Sequence, residues 1–319
     1  MKGYLGVDIG SVSTNIVLLN EMEEVEYKLY LRTMGRPIDA LKSGLENLLL
    51  QYGENIEIVG VGTTGSGRIL AGTILGADVI KNEITAHSIA TIKEFPDVKT
   101  IIEIGGQDSK IIIIRNKVVV DFAMNTVCAA GTGSFLDRQA DRLGIPIEKV
   151  GEIALKSKNP TRIAGRCAVF AESDMIHKQQ LGHKLEDIIR GLCQALVRNY
   201  LNNVGKGKEI LPRVVFQGGV AANLGMKAAF EEALQMEVYV PKYHHVMGAI
   251  GAALLVKDAG VKNTNFRGFR ASELFFTADS FECRGCSNRC EVVNIKMDGK
   301  IIARWGDRCN KWKTMENSF

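Results

Sequence analysis

Asp8-Ile9-Gly10-Ser11 and, 95 positions later, Glu103-Ile104-Gly105-Gly106 decide the fold. The first stretch ends the apolar run Tyr4-Leu5-Gly6-Val7, and the second ends Thr100-Ile101-Ile102. Each leads into another apolar run, with Ile16 falling on Ile111 at the same offset. A strand, a tight turn and an antiparallel return strand, met twice, signal an internal repeat and so two similar α/β halves. A cleft between two such halves is a natural ligand site.

Outward from the first turn, Asn15–Leu19 and Val25–Leu31 read as strands, Ile38–Leu50 as a helix, and Ile56–Val61 as a strand before a Gly-rich loop. After the second turn, Ser109–Ile114 and Lys117–Phe122 read as strands. Helices fill Cys128–Asn203, and Val214–Phe216 is a strand entering a Gly-Gly turn and a helix from about Leu224. His244–Lys257 reads as a small-residue helix closing the second half. The domains expected are 1–97, completed by that helix at about 246–258; 98–245; and 259–319, a linker and a cysteine-rich extension. Asn263–Phe281 reads as the linker. Asp298-Gly299 reads as a hairpin turn between Val292–Met297 and Lys300–Trp305.

Composition narrows the class. The chain has 319 residues, 46% hydrophobic and 24% charged, which fits two globular domains and excludes low-complexity disorder. Its 33 glycines exceed the usual ~7% and point to several tight turns. The apolar stretch Val246–Val256 is too short to span a bilayer, and the amino terminus runs straight into a strand. A cytoplasmic protein is expected, so the seven cysteines read as free thiols or metal ligands. Net charge is +4, and Ser280–Phe319 carries eight Lys/Arg against five Asp/Glu. A modest excess, three of the four net charges lying in a cysteine-bearing tail, argues against nucleic-acid binding.

Three loops carry phosphate-binding chemistry: Asp8-Ile9-Gly10-Ser11-Val12-Ser13-Thr14-Asn15, Glu103-Ile104-Gly105-Gly106-Gln107-Asp108, and Gln217-Gly218-Gly219-Val220-Ala221-Ala222-Asn223. Glycine lets amides approach phosphate, hydroxyls add donors, and an acid at a strand end can hold Mg2+ through water. The third loop has a strand before it and a helix after it, which suits an anion or an adenosine ribose. No Walker lysine or Gly-x-Gly-x-x-Gly follows the first strand.

This set resembles the acetate kinase, sugar kinase, heat-shock chaperone and actin superfamily. The resemblance implies two duplicated ribonuclease-H-like halves of an actin-like ATPase with an interdomain nucleotide cleft, binding ATP or ADP with Mg2+. It makes Asp8 and Glu103 the metal-side and water-side acids, although Asp is commoner than Glu at the second position. It lines the phosphates with Gly10, Ser11, Val12, Ser13, Thr14, Asn15, Gly105 and Gly106, and flanks the nucleoside with Gly218, Gly219, Ala222 and Asn223. Gln107 or Asp108 would orient the attacking water.

Two cysteine segments follow: Asn125-Thr126-Val127-Cys128-Ala129-Ala130-Gly131-Thr132-Gly133-Ser134-Phe135-Leu136, and Gly165-Arg166-Cys167-Ala168-Val169-Phe170-Ala171-Glu172-Ser173. Each cysteine precedes a helix-like run, where orphan amides favour a thiolate. Chemistry alone leaves two readings open. They are small buried thiols, or they are half of the roughly four thiolates of a 4Fe-4S cluster, completed by a two-fold partner.

With Ile104-Gly105-Gly106-Gln107-Asp108, these strings are similar to the activators of 2-hydroxyacyl-CoA dehydratases, over about residues 3–257. That family includes the ATPase subunits of benzoyl-CoA reductases and the reductases of double-cubane cluster proteins. The resemblance implies a homodimer with one bridging 4Fe-4S cluster, ligated by Cys128 and Cys167 of both chains. It implies an ATP-driven activator that takes an electron from ferredoxin or flavodoxin and passes it to an iron–sulfur acceptor enzyme. A small-molecule kinase and a non-redox nucleotide-sensing module are the alternatives; no distinct acceptor pocket with its own base is found for the first.

Other features are weaker. Cys193 lies mid-helix and reads as structural. Glu83 and His87 share a helix face and read as a hydrogen-bonded pair. Arg68 either approaches phosphate or closes a solvated turn, and His244-His245 reads as a surface feature. Cys283, Cys286, Cys290 and Cys309 read as a zinc site or a second Fe–S cluster, the two-plus-two hairpin spacing favouring zinc slightly and the redox context a cluster.

Overall fold

The computed structural model describes residues 2–53 and 56–315. The chain forms two compact units, Met1–Ala86 with Gly248–Phe319, and His87–Met247.

In the first unit, β1 (Lys2–Ile9), β2 (Ser13–Leu19), β3 (Val25–Arg32), β4 (Glu57–Thr64) and β5 (Val79–Ile80) form a sheet in the order β3-β2-β1-β4-β5. The β1–β2 and β2–β3 pairs are antiparallel; β4 lies parallel to β1. Helix α1 (Pro37–Tyr52) starts on a proline, whose missing N–H costs nothing there. It buries Ala40, Leu41, Gly44, Leu45 and Leu48, one face at helical spacing. Helices α2 (Arg68–Leu75) and α3 (Glu83–Glu94) follow.

In the second unit, β6 (Thr100–Ile104), β7 (Ser109–Arg115), β8 (Val118–Asn125), β9 (Val214–Gln217) and β10 (Val238–Tyr239) repeat that order as β8-β7-β6-β9-β10. Between β8 and β9 stand α4 (Gly133–Leu143), α5 (Ile147–Leu155), α6 (Ala168–Gln180) and α7 (Leu185–Asn203), with α8 (Leu224–Leu234) after β9. Their apolar faces make the second core with Ile102, Ile104, Ile111 and Phe216.

Helix α9 (Met247–Asp258) belongs to the first unit. Its small residues have a packing reason: β-carbons at Gly6 and Gly62 would stand 1.9 and 2.1 Å from the carbonyls of Ala249 and Ala252. The helix backbone therefore rests directly on β1 and β4.

The structure corrects two expectations of organisation and adds to a third. The division falls inside α3, between Ala86 and His87, not near 97. Asn263–Phe281 is more than a linker: it holds a 3-10 turn (Phe269–Ser272) and strand β11 (Phe276–Glu282). Residues 259–319, expected as a linker and a cysteine-rich extension, also complete a core: β11, β12 (Glu291–Met297), β13 (Lys300–Trp305) and β14 (Thr314–Met315) form a meander sharing that of the first unit through Phe276, Ile295, Ile302 and Ala303. The apolar residues scattered through the supposed linker are what join it to that core. The Asp298-Gly299 turn is present, both residues at positive φ. Among the described residues no helix is long and apolar enough to cross a membrane.

Candidate functional site

The two turns that define the repeat close in the same way. Gly10 N donates to Ser13 O at 2.8 Å, and Gly105 N donates to Asp108 O at 3.0 Å. Those two amides are spent on the turns themselves. Across the ladders, Asp8 stands opposite Asn15, and Glu103 opposite Lys110.

In the first unit, Ser11 is exposed, and Val12 and Ser13 are half-buried. Thr14 is fully buried and hydrogen-bonded to Thr33 at 3.0 Å, so its hydroxyl faces the interior. Asn15 is buried with its Oδ1 unpartnered. That orphan oxygen, across the ladder from Asp8, fits a polar or cationic guest such as hydrated Mg2+. Arg68 folds back to donate to Gly65 O at 2.9 Å, closing its own turn.

In the second unit, Glu103 is 4% exposed. Burial pushes its carboxyl above the usual range, the Asp108 charge adds to this, and Lys110 opposes it. Gln107 is exposed and Asp108 half-buried. Gly218 sits at φ 91°, and a β-carbon there would lie 2.3 Å from Ile104 O. Only glycine lets the third loop approach the second this closely. Gly219–Ala222 form a 3-10 turn, and Asn223 caps α8 by accepting from Met226 N at 3.0 Å. The Asn223 Nδ2 is buried without a partner. Gln217 is tied to Thr91 and His87, and His244 O accepts from Gly218 N.

Cys128 and Cys167 are half-buried and occupy equivalent places. Cys128 precedes a 3-10 turn (Ala129–Gly131) that runs into α4, and Cys167 is the N-cap of α6. Asn125 accepts from Cys128 N at 2.9 Å and donates to Cys128 O at 2.8 Å. Asn199, on α7, donates to Arg166 O beside Cys167. Glu172 of α6 accepts from both Arg138 and Arg142 of α4, linking the two cysteine-headed helices. Exposed Val127, Val169 and Phe170 flank the thiols. Two half-buried thiols at the head of α6 and of the turn leading into α4 are the residue type that ligates iron. Among the described residues, however, no three His, Cys, Asp or Glu side chains are grouped to hold a metal. Cys193 is buried, and burial pushes its thiol up to about 12.

The tail cysteines lie on two loops at one end of the C-terminal meander. Cys283 N donates to Cys290 O, and Trp312 Nε1 donates to Cys283 Sγ at 3.2 Å. The Gly285 amide and the Trp312 indole hold the Cys283 thiol below its ordinary value. Cys286 and Cys309 are exposed.

Sequence reasoning missed Lys110, Asn125, Asn199 and Tyr200. Lys110 was within reach: it sits at the repeat offset from Asn15, opposite the second acid. Asn125 acts on Cys128 only three residues away, inside a motif read for its cysteine, whereas Asn199 and Tyr200 act through contacts distant in sequence, on Arg166 O and Lys110 O.

The first α4 amides tie the cysteine segment to the second turn. Gly133 N and Ser134 N donate to Gly105 O and Gly106 O at 2.9 and 2.8 Å.

Known proteins resemble this chain over most of its length. The (R)-2-hydroxyglutaryl-CoA dehydratase activating ATPase of Acidaminococcus fermentans is 34% identical over 265 residues, 81% of this chain and 98% of that protein. A benzoyl-CoA reductase subunit of Thauera aromatica is 29% identical over 78% of this chain and 91% of its own length. The structure of the Clostridium difficile 2-hydroxyisocaproyl-CoA dehydratase activator with bound ADPNP superposes with a TM-score of 0.74 at 32% identity, covering 81% of this chain and 95% of that one. The two mixed sheets are thus those of an actin-like ATPase. A family match spanning residues 5–256 completes the assignment and leaves the whole C-terminal meander outside it: the chain belongs to the BadF/BadG/BcrA/BcrD ATPase family.

Proposed function

We propose that this chain is an ATP-dependent electron-transfer activator. It drives one electron, through a 4Fe-4S cluster shared by two copies of the chain, to an iron–sulfur enzyme such as a 2-hydroxyacyl-CoA dehydratase, a dearomatising reductase or a double-cubane cluster protein. Reduced ferredoxin or flavodoxin is the donor in this reading, in a cytoplasmic setting. The observation that carries it is the pair of cysteine-headed helices, linked by Glu172 and fastened at α4 to the Gly105–Gly106 turn.

Cys128 and Cys167 of each chain would hold the cluster, which supplies a one-electron store tuned by hydrogen bonds to sulfur, local charge and solvent access. Asn125 and Asn199 hold the backbone around the two thiols. Val127, Val169 and Phe170 offer an apolar rim for a second copy to cover, keeping water from the thiols. Ser11, Ser13 and the backbone of the two Gly turns bind the phosphates. Asp8, Gln107 and Asp108 supply the acid and amide groups at the phosphate end, with Mg2+ neutralising charge there; Glu103 stands behind them, buried on Lys110, and Gly218–Asn223 flank the nucleoside. The nucleotide moves the helices only if it binds two arrangements unequally, and the α4 hydrogen bonds give the turn a direct hold on one of them. The four tail thiols are a separate metal site in this reading, of zinc or a second cluster.

Anaerobic purification with iron, sulfide and zinc counts tests the reading. About four irons per dimer fit the shared cluster alone, and about twelve fit a cluster in each tail as well. C128A and C167A should each lose the shared iron, and C193A should keep it. A C128A protein with full iron and ATP-dependent reduction overturns the proposal.

A further inference from the structure

Lys110 is 2% exposed, although its side chain ends in an ionisable amine. Its ammonium lies 2.8 Å from Glu103 Oε2 and 2.9 Å from Asp108 Oδ2. Its backbone carbonyl accepts from Tyr200 Oη at 2.7 Å, fixing the strand to α7. Such a buried cation persists only when paired, and here one cation serves two carboxylates.

The two acids are held differently. Glu103 is turned into the interior, its Oε1 2.8 Å from where a β-carbon of Gly218 would stand. Asp108 lies at the turn's surface, its side chain 32% exposed, with Oδ1 beside Gly105. A carboxylate locked to a buried ammonium is a poor ligand for a hydrated cation, because it must first give up its partner. Asp108 shares that ammonium through Oδ2, but its carboxylate is partly exposed at the turn, whereas that of Glu103 is enclosed in the interior.

We propose that Lys110 is a positioning residue for ATP hydrolysis: it retires Glu103 to a structural role and sets Asp108 as the acid that the second turn presents to the nucleotide. The inference rests on the ATPase reading of this site and deepens it.

The test uses the full chain and three measurements: steady-state ATP hydrolysis, binding of a non-hydrolysable ATP analogue, and thermal unfolding. K110M strands Glu103 without a counter-charge and should melt at lower temperature. K110M/E103Q removes both charges and should regain most of that loss. It should bind the analogue within about threefold of wild type and still turn over about 50-fold more slowly, with the loss in kcat rather than KM. K110R keeps a cation and should recover part of the rate. A double variant that regains wild-type kcat along with stability shows that Lys110 merely neutralises Glu103, and the proposal fails.

A second arm holds if those variants do not fold. D108N should lower kcat about 50-fold without changing the melting temperature, and E103Q, which leaves Lys110 paired with Asp108, less than about fivefold. An E103Q loss equal to that of D108N makes Glu103 the presenting acid and overturns the inference. Wild-type protein without any ATP turnover instead sinks the ATPase reading itself.

Discussion

The two halves of the molecule use one backbone plan and fill it differently. Both turns close from a glycine amide to the carbonyl three residues on, and both place an acid in the same register of the first strand. In the first half the acid faces an asparagine with an unpartnered oxygen; in the second it faces an ammonium that also holds Asp108. Duplication kept the scaffold and split the chemistry, so equivalent positions need not have equivalent roles. The halves also differ in their cores: the second packs its own helices against its sheet, while the first shares its core with the C-terminal meander.

That last contrast gives the largest expected effect. Truncation after Gly260 strips the first core of Phe276, Ile295 and Ile302, each worth roughly 1.5–3 kcal/mol of burial. Unfolding by denaturant should show the first unit melting early while the second holds. A truncated chain with unchanged transitions would break the comparison of cores.

Swapping the second half's pairing into the first comes next. N15K puts an ammonium across from Asp8, as Lys110 is across from Glu103. Single-turnover hydrolysis should fall about 100-fold, as for loss of one preorganised charge interaction, with analogue binding less affected. Unchanged hydrolysis would mean that the two acids are interchangeable after all.

A smaller effect separates the glycines. G218A meets both positive φ and the Ile104 carbonyl, and should cost about 1–3 kcal/mol of stability. G10A meets its nearest atom, Ser13 O, only at 3.4 Å and should cost under about 1 kcal/mol. Thermal unfolding of the two variants side by side checks this.

The smallest effect concerns the third cysteine of the second unit. With its thiol pushed up to about 12, Cys193 stays protonated through the ordinary range, and reactivity needs the thiolate. Alkylation of folded protein at pH 8 should leave Cys193 unmodified, read by peptide mass mapping. Rapid labelling there would mean that α7 opens.

Much of this was legible in the sequence. The repeat showed because apolar strands and glycine turns recur at a fixed offset, and the Asp298-Gly299 turn showed because few residues tolerate positive φ. The Glu103–Lys110 pair was less visible, since it depends on knowing the ladder register, one residue's slip of which reverses every face. Asn125 was hidden in a motif read for its cysteine, and Asn199 acts across 33 positions of chain. The hairpin of the C-terminal meander was legible, but the strand in Asn263–Phe281 was read as linker because Phe266, Phe269 and Phe276 follow neither strand nor helix spacing. They make sense only against the core they complete.

The bonds from Gly133 and Ser134 to the Gly105 and Gly106 carbonyls carry one more consequence. A helix whose opening amides are already engaged has no vacancy there for an anion, so α4 acts as an anchor for the turn and not as a cradle. Displacing the turn strips the helix of its first two fastenings. Deuterium uptake at those two amides would then work as a built-in gauge of how far the turn travels.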